Sequence, residues 1–115
     1  QSRDFVHVSV VVAALRAGMD RADTAAPVFN VCAGRSTTVL ELARTLAEAC
    51  GRVPVIRHAP GRAGEIRHSL GAPDAARAAL GLGEPPRLQD GLREVVGWMR
   101  AGRPLLAAAE LVEGD

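Results

Sequence analysis

Val28-Phe29-Asn30-Val31-Cys32-Ala33-Gly34-Arg35-Ser36-Thr37-Thr38-Val39-Leu40-Glu41-Leu42 reads as a strand, a turn and the first turn of a helix. The run Val28 to Cys32 is short, rich in β-formers and bounded by Pro27 and Ala33-Gly34, which predicts a compact buried strand entering a turn. From Val39 the pattern changes. Val39, Leu42, Ala43, Leu46, Ala47 and Cys50 recur at offsets of 3, 4, 7, 8 and 11 residues, the spacing of one helix face. Thr38 and Glu41 have the spacing of a capping box at its start, and Gly51 follows its end.

Working outward, Phe5, Val6 and Val8 form a short extended segment on which His7 alternates outward. Val10 to Met19 is expected to be a helix, with Val11, Leu15 and Met19 on one face and Ser9 as the candidate cap. Asp23-Thr24-Ala25-Ala26-Pro27 is a loop. A second strand is expected at Val53 to His58, closed by Pro60-Gly61. Asp74 can cap a short alanine-rich helix ending near Leu80-Gly81. Pro85-Pro86 then leads into a last helix with Leu88, Leu92, Val95, Val96 and Met99 on one face. Few short strands with about four helices, and no internal repeat, make this a small α/β chain. Residues 1–104 read as one domain, and 105–115 as either a helical tail or a frayed terminus.

The 115 residues, 48% of them hydrophobic, suffice for one core and not for two. The 14 basic residues are all arginine and face 13 acidic ones, so a net charge of +1 provides no field for non-specific nucleic-acid binding. No apolar run approaches the roughly 18 residues of a membrane span, and no signal-peptide pattern is present. Cys32 and Cys50 sit in apolar surroundings, which suits reduced thiols in a cytoplasmic protein. His7, His58 and His68 lack metal-ligand spacing. Ser36, Ser69 and the cysteines have no histidine at a recognisable nucleophile spacing. Gly34-Arg35-Ser36-Thr37 lacks the Gly-Lys-Ser/Thr ending of a phosphate loop, so it is assigned to the turn and cap before Val39, with Arg35 exposed.

Two distant arginine motifs remain, Arg3-Asp4-Phe5-Val6-His7-Val8 and Arg62-Ala63-Gly64-Glu65-Ile66-Arg67. A planar guanidinium donates paired hydrogen bonds to phosphate oxygens, and two of them from separate loops suit a diphosphate. The alternative is a solvated arginine, or one paired with its neighbour Asp4 or Glu65.

Together with Val28-Phe29-Asn30-Val31, these motifs resemble the C-terminal part of an extended short-chain dehydrogenase/reductase of the nucleotide-sugar epimerase and dehydratase type, UDP-glucose 4-epimerase among them. The resemblance runs from Arg3 to about Arg100. It implies a small substrate-binding C-terminal portion without the Rossmann nucleotide-binding half. In that setting Arg3 and Arg62 correspond to a diphosphate clamp, Asn30 to an amide reaching the same phosphates, and Glu65 to a carboxylate accepting from ribose hydroxyls. The family reacts through a Tyr-x-x-x-Lys pair and binds its cofactor on an N-terminal glycine-rich loop. This sequence has no tyrosine and no lysine. NAD or NADP is therefore expected outside this chain, which would not be catalytic on its own. The implied partners are a nucleotide sugar and a Rossmann half of the same protein, with the choice between monomer and homo-oligomer left open. The chain opens on Gln1, which fits a fragment of a longer protein and equally a processed chain. The alternative is a truncated, non-catalytic binding or interaction module of the same fold, and the length of the gene product separates the two. The sequence departs from the family at Ser9 and Ala72, where aspartate is usual, at Ala63 for proline, and at Glu65 for aspartate.

Overall fold

The computed structural model describes residues 1–21 and 27–113, with side chains through Gly102. Among these residues the order is β1 (Ser2–Arg3), α1 (Val8–Met19), β2 (Thr37–Thr38), α2 (Val39–Ala49), α3 (Asp74–Leu80) and α4 (Leu88–Glu113). This is the α/β arrangement of four helices and few strands expected from the sequence. The strands, however, lie elsewhere. β1 and β2 pair antiparallel with Ser2 opposite Thr38 and Arg3 opposite Thr37, and Ser2 also forms a parallel bridge to His68.

Neither predicted strand forms. Val28 to Cys32 and Val53 to His58 have no ladder partner among the described residues. Val28 is 94% and Val53 91% exposed. An apolar run becomes a strand only where a neighbouring backbone accepts its hydrogen bonds, and none of the described residues does so for either segment. Most of the loop expected at Asp23 to Pro27 lies outside the described residues.

α1 starts at Val8 rather than Val10, because His7 and not Ser9 is its cap. His7 Nδ1 accepts from the Ser9 amide at 3.2 Å and lies 2.7 Å from Ser9 Oγ, while Nε2 sits 3.8 Å from Glu94. The ring is turned inward, its side chain only 11% exposed, and Gly91 of α4 leaves room for it: a Cβ there would come within 3.0 Å of His7. The buried residue of α1 is Ala14, and the helix packs on α3. Leu15 and Met19, expected on one face with Val11, are exposed and align with exposed Val8 and Val12 at spacings of four, three and four residues.

α2 follows its sequence pattern closely. Thr38 Oγ1 accepts from the Glu41 amide at 3.0 Å, and Gly51 (φ 67°) lies beyond the Cys50 C-cap. The helix packs along α4, whose Arg100 donates to the Cys50 carbonyl at 3.1 Å. α3 is capped backbone-first: Pro73 is its N-cap with no side-chain bond, and Asp74 lies in the first turn, where its charge favours the helix N-terminus. Gly81 ends it in the left-handed region at φ 63°. α4 passes through Pro104 and runs to Glu113.

Small side chains make the interior. Among the described residues the buried apolar side chains are Ala14, Ala33, Ala76 and Val96, together with the rings of Pro73 and Pro85. The radius of gyration, 18.0 Å, exceeds the about 13 Å of a compact domain of similar length. What joins the segments is polar. Asp4 accepts from the Ala33 amide at 2.8 Å, the Gly34 amide at 2.8 Å and the Gly71 amide at 3.2 Å. Arg77 of α3 donates to the Ala33 carbonyl at 2.9 Å. Replacing Asp4 by alanine strands three amides, so a loss of about 3 kcal/mol or more is expected. Urea unfolding of the complete protein measures it, and a midpoint unchanged in Asp4→Ala would contradict this account.

Candidate functional site

A groove of about 1150 Å³ lies between the start of α2 and the segment 55–68. Val39, Leu40, Ala43, Val55 and Ile56 give it an apolar floor, and Arg57, His58, Arg62, Glu65, Arg67 and His68 give it a charged rim. Three arginines against one carboxylate make it an anion-attracting surface.

The loop carrying Arg62 closes on itself. The Glu65 amide donates to the Arg62 carbonyl at 3.3 Å, the Arg62 amide donates to Glu65 Oε2 at 3.4 Å, and Gly64 occupies the turn at φ 80°. Glu65 is thus bound to backbone and not to a guanidinium. Among the described residues Arg57, Arg62 and Arg67 have no carboxylate within ion-pair distance.

Of the four residues proposed from the sequence, the structure brings Arg62 and Glu65 into this groove. Arg3 stands beside it on β1, following Gln1, which lines the groove, and Ser2; its guanidinium donates to the Ser2 carbonyl at 3.0 Å. Asp4 points away to its three amides and forms no ion pair with Arg3. Asn30 lies on the exposed 28–31 segment and does not line the groove. Arg57 and Arg67 were overlooked in the sequence, although they flank Arg62 at five residues on either side.

Arg35 is not a free turn residue. It donates to the carbonyls of Pro86 at 3.3 Å and Pro85 at 3.4 Å, and Glu84 lies 3.9 Å away. These contacts hold the approach to α4 beside a smaller apolar gap of about 350 Å³ between Phe5, Val6, Leu42, Leu88, Leu92 and Val95. That gap offers few polar groups with which to orient a ligand.

The Gly34 turn cannot serve as a phosphate cradle, because the Ala33 and Gly34 amides already donate to Asp4. That turn therefore lacks the free amides with which a helix start holds a dinucleotide's phosphates. The described residues also contain no group of three or more metal-ligating side chains, and no helix among them is long and apolar enough to cross a membrane. Burial, reinforced by the adjacent Asp4 carboxylate, pushes the Cys32 thiol above its ordinary range, the opposite of what a nucleophile requires.

No family model and no curated protein matches the chain. Solved structures do. MoeE5 in complex with UDP-glucuronic acid and NAD superposes with a TM-score of 0.80 at 31% identity over 89% of this chain. The Bordetella bronchiseptica enzyme WbmF superposes at 0.73 and 27% identity in its complex with NAD+ and UDP, and at 0.74 and 28% with NAD+, each over 94% of the chain. The chain spans about a third of the length of these proteins: 34% of MoeE5 and 31 to 32% of WbmF.

In a Cys50→Ala variant, iodoacetamide alkylation of Cys32 should rise with pH about a midpoint above the ordinary thiol value of about 8.5. A midpoint at or below that value would contradict the burial account.

Proposed function

Because the chain resembles the C-terminal part of an extended short-chain dehydrogenase/reductase, we propose that it is the nucleotide-sugar-binding portion of an NAD(P)-dependent epimerase or dehydratase. The observation that carries this reading is the groove with Arg57, Arg62 and Arg67 unpaired on its rim. Holding three cations on one rim with its one carboxylate, Glu65, turned onto backbone is unfavourable, and a diphosphate relieves it through charge-assisted hydrogen bonds. MoeE5 and WbmF, bound to UDP-glucuronic acid and UDP, make a uridine nucleotide the natural probe.

In this reading Arg62 and Arg3 grip the diphosphate and Glu65 receives ribose hydroxyls, while Asn30, which stands apart from the groove, takes no part. The chain binds and orients. Gripping the nucleotide far from the reacting sugar carbon supplies binding energy that the chemical step uses for positioning. The cofactor, NAD or NADP, and the tyrosine and lysine of the reaction belong to a Rossmann half outside residues 1–115. That half also accounts for the exposed stripe Val8, Val12, Leu15 and Met19 and for Val28 to Val31, without a ladder partner among the described residues, which offer it an apolar helix face and free backbone hydrogen-bonding groups.

Two measurements test this. Titrating UDP-glucuronic acid into the complete protein by calorimetry, Arg3→Ala and Arg62→Ala should each lose about 1.5 to 3 kcal/mol, a tenfold to hundredfold weakening. Arg93→Ala on exposed α4 is the control and should change little. Equal affinities throughout would refute the clamp. Residues 1–115 alone should self-associate or unfold readily, as seen by light scattering and thermal melts over a concentration series. A stable monomer at all concentrations would instead favour the self-sufficient binding module.

A further inference from the structure

The groove's arginines sit on a segment that almost nothing holds. Residues 51–70 are all exposed. Among the described residues, no backbone hydrogen bond joins 53–66 to the rest of the chain, and the bonds within the segment are those between Arg62 and Glu65. A tether so long samples many positions, and fixing an arginine on it costs conformational entropy at the moment of binding.

One attachment limits that freedom, and it converges on Ser2. The Ser2 amide donates to the Arg67 carbonyl at 2.8 Å, and the Ser69 amide donates to the Ser2 carbonyl at 3.1 Å. Between them, Ser2 Oγ and His68 Nδ1 lie 2.8 Å apart, a hydrogen bond between side chains 66 residues distant in sequence. Ser2 is 7% exposed, with Thr38 opposite it on its other side. Any residue but proline at position 2 could make the two backbone bonds. The hydroxyl–imidazole pair is the part that depends on these side chains and sets the loop's register on β1, one residue from Arg3.

We infer that Ser2 and His68 are positioning residues, a latch that presents Arg62 in a fixed relation to Arg3 so that both meet one diphosphate. The inference rests on the nucleotide-binding reading above. The latch acts through Arg62 and touches no ligand atom itself. Its removal therefore weakens binding only while Arg62 is there to be positioned.

The test is a double-mutant cycle in the complete protein, with UDP as the probe and calorimetry as the readout. Ser2→Ala and His68→Ala should each weaken UDP binding about three- to tenfold, as expected for one partly buried hydrogen bond. Ser2→Thr, which keeps the hydroxyl, and His68→Asn, which keeps a polar atom near the Nδ1 position, should recover most of it. In an Arg62→Ala background, Ser2→Ala should have no further effect. Amide hydrogen exchange, read in parallel without ligand, should quicken at Ser69 and across 61–68 in Ser2→Ala while α2 and α4 keep their protection. Additive losses in the cycle, or unchanged exchange across 61–69, overturn the latch. Absence of UDP binding in the unmodified protein would count against the nucleotide reading, and the exchange measurement would still decide whether Ser2 and His68 hold the loop.

Discussion

The Asp4 carboxylate is the constraint from which the rest of this chain is arranged. Its two oxygens take the amides of Ala33, Gly34 and Gly71, joining segments 29 to 67 residues apart in sequence. The backbone must come close for one side chain to reach all three. At Gly71 an added Cβ would sit 2.5 Å from Cys32 Sγ, and at Gly34, where φ is 73°, it would meet the Pro73 ring at 2.9 Å. Glycine is the residue that permits both approaches. A bridge of this kind matters more here than in a well-filled domain, because among the described residues the buried apolar side chains are three alanines, one valine and two prolines. Hydrogen bonding supplies the cross-chain connectivity that packing leaves incomplete.

The same bridge separates two functions within one motif. Asp4 is occupied by amides, which leaves its neighbour Arg3 without a carboxylate partner, donating instead to the Ser2 carbonyl. On the other arginine loop, Glu65 is turned onto the Arg62 backbone and does not neutralise the guanidinium. In both motifs the acid next to the arginine has a structural task. Among the described residues, pairing of Arg3 with Asp4 or of Arg62 with Glu65 does not occur. The Gly34 turn illustrates the converse. Its amides are spent on Asp4, so a segment with the superficial look of a phosphate loop has nothing left to offer a phosphate.

How far the fold could be read depended on the range of the interactions involved. α2 was legible to the residue because its determinants are local: the Thr38 cap, the apolar face and Gly51 lie within one stretch of chain. The end of α3 at Gly81 was legible for the same reason. Val28 to Cys32 and Val53 to His58 have strand composition, yet hydrogen-bond partners are not a property of a segment, and these two have none among the described residues. Conversely Ser2–Arg3 and Thr37–Thr38, polar and only two residues each, give no strand signal and pair because the fold brings them together. His7 was misread as outward-facing because alternation was assumed along a strand that is in fact the lead-in to α1.

By itself the sequence determined the α/β class, the four helices, the resemblance to nucleotide-sugar epimerases and dehydratases, and the two arginine motifs. Each follows from residue type and short spacing, which survive without coordinates. Tertiary structure alone decided that Arg62 and Glu65 share a groove with Arg57 and Arg67, that Asn30 stands apart from it, and that Arg35 braces Pro85 and Pro86. It also decided that Ser2 meets His68. Such pairings join residues tens of positions apart, and the chain path that closes those distances is set by the Asp4 amide bridge and the β1–β2 pairing acting together, neither of which any single segment encodes.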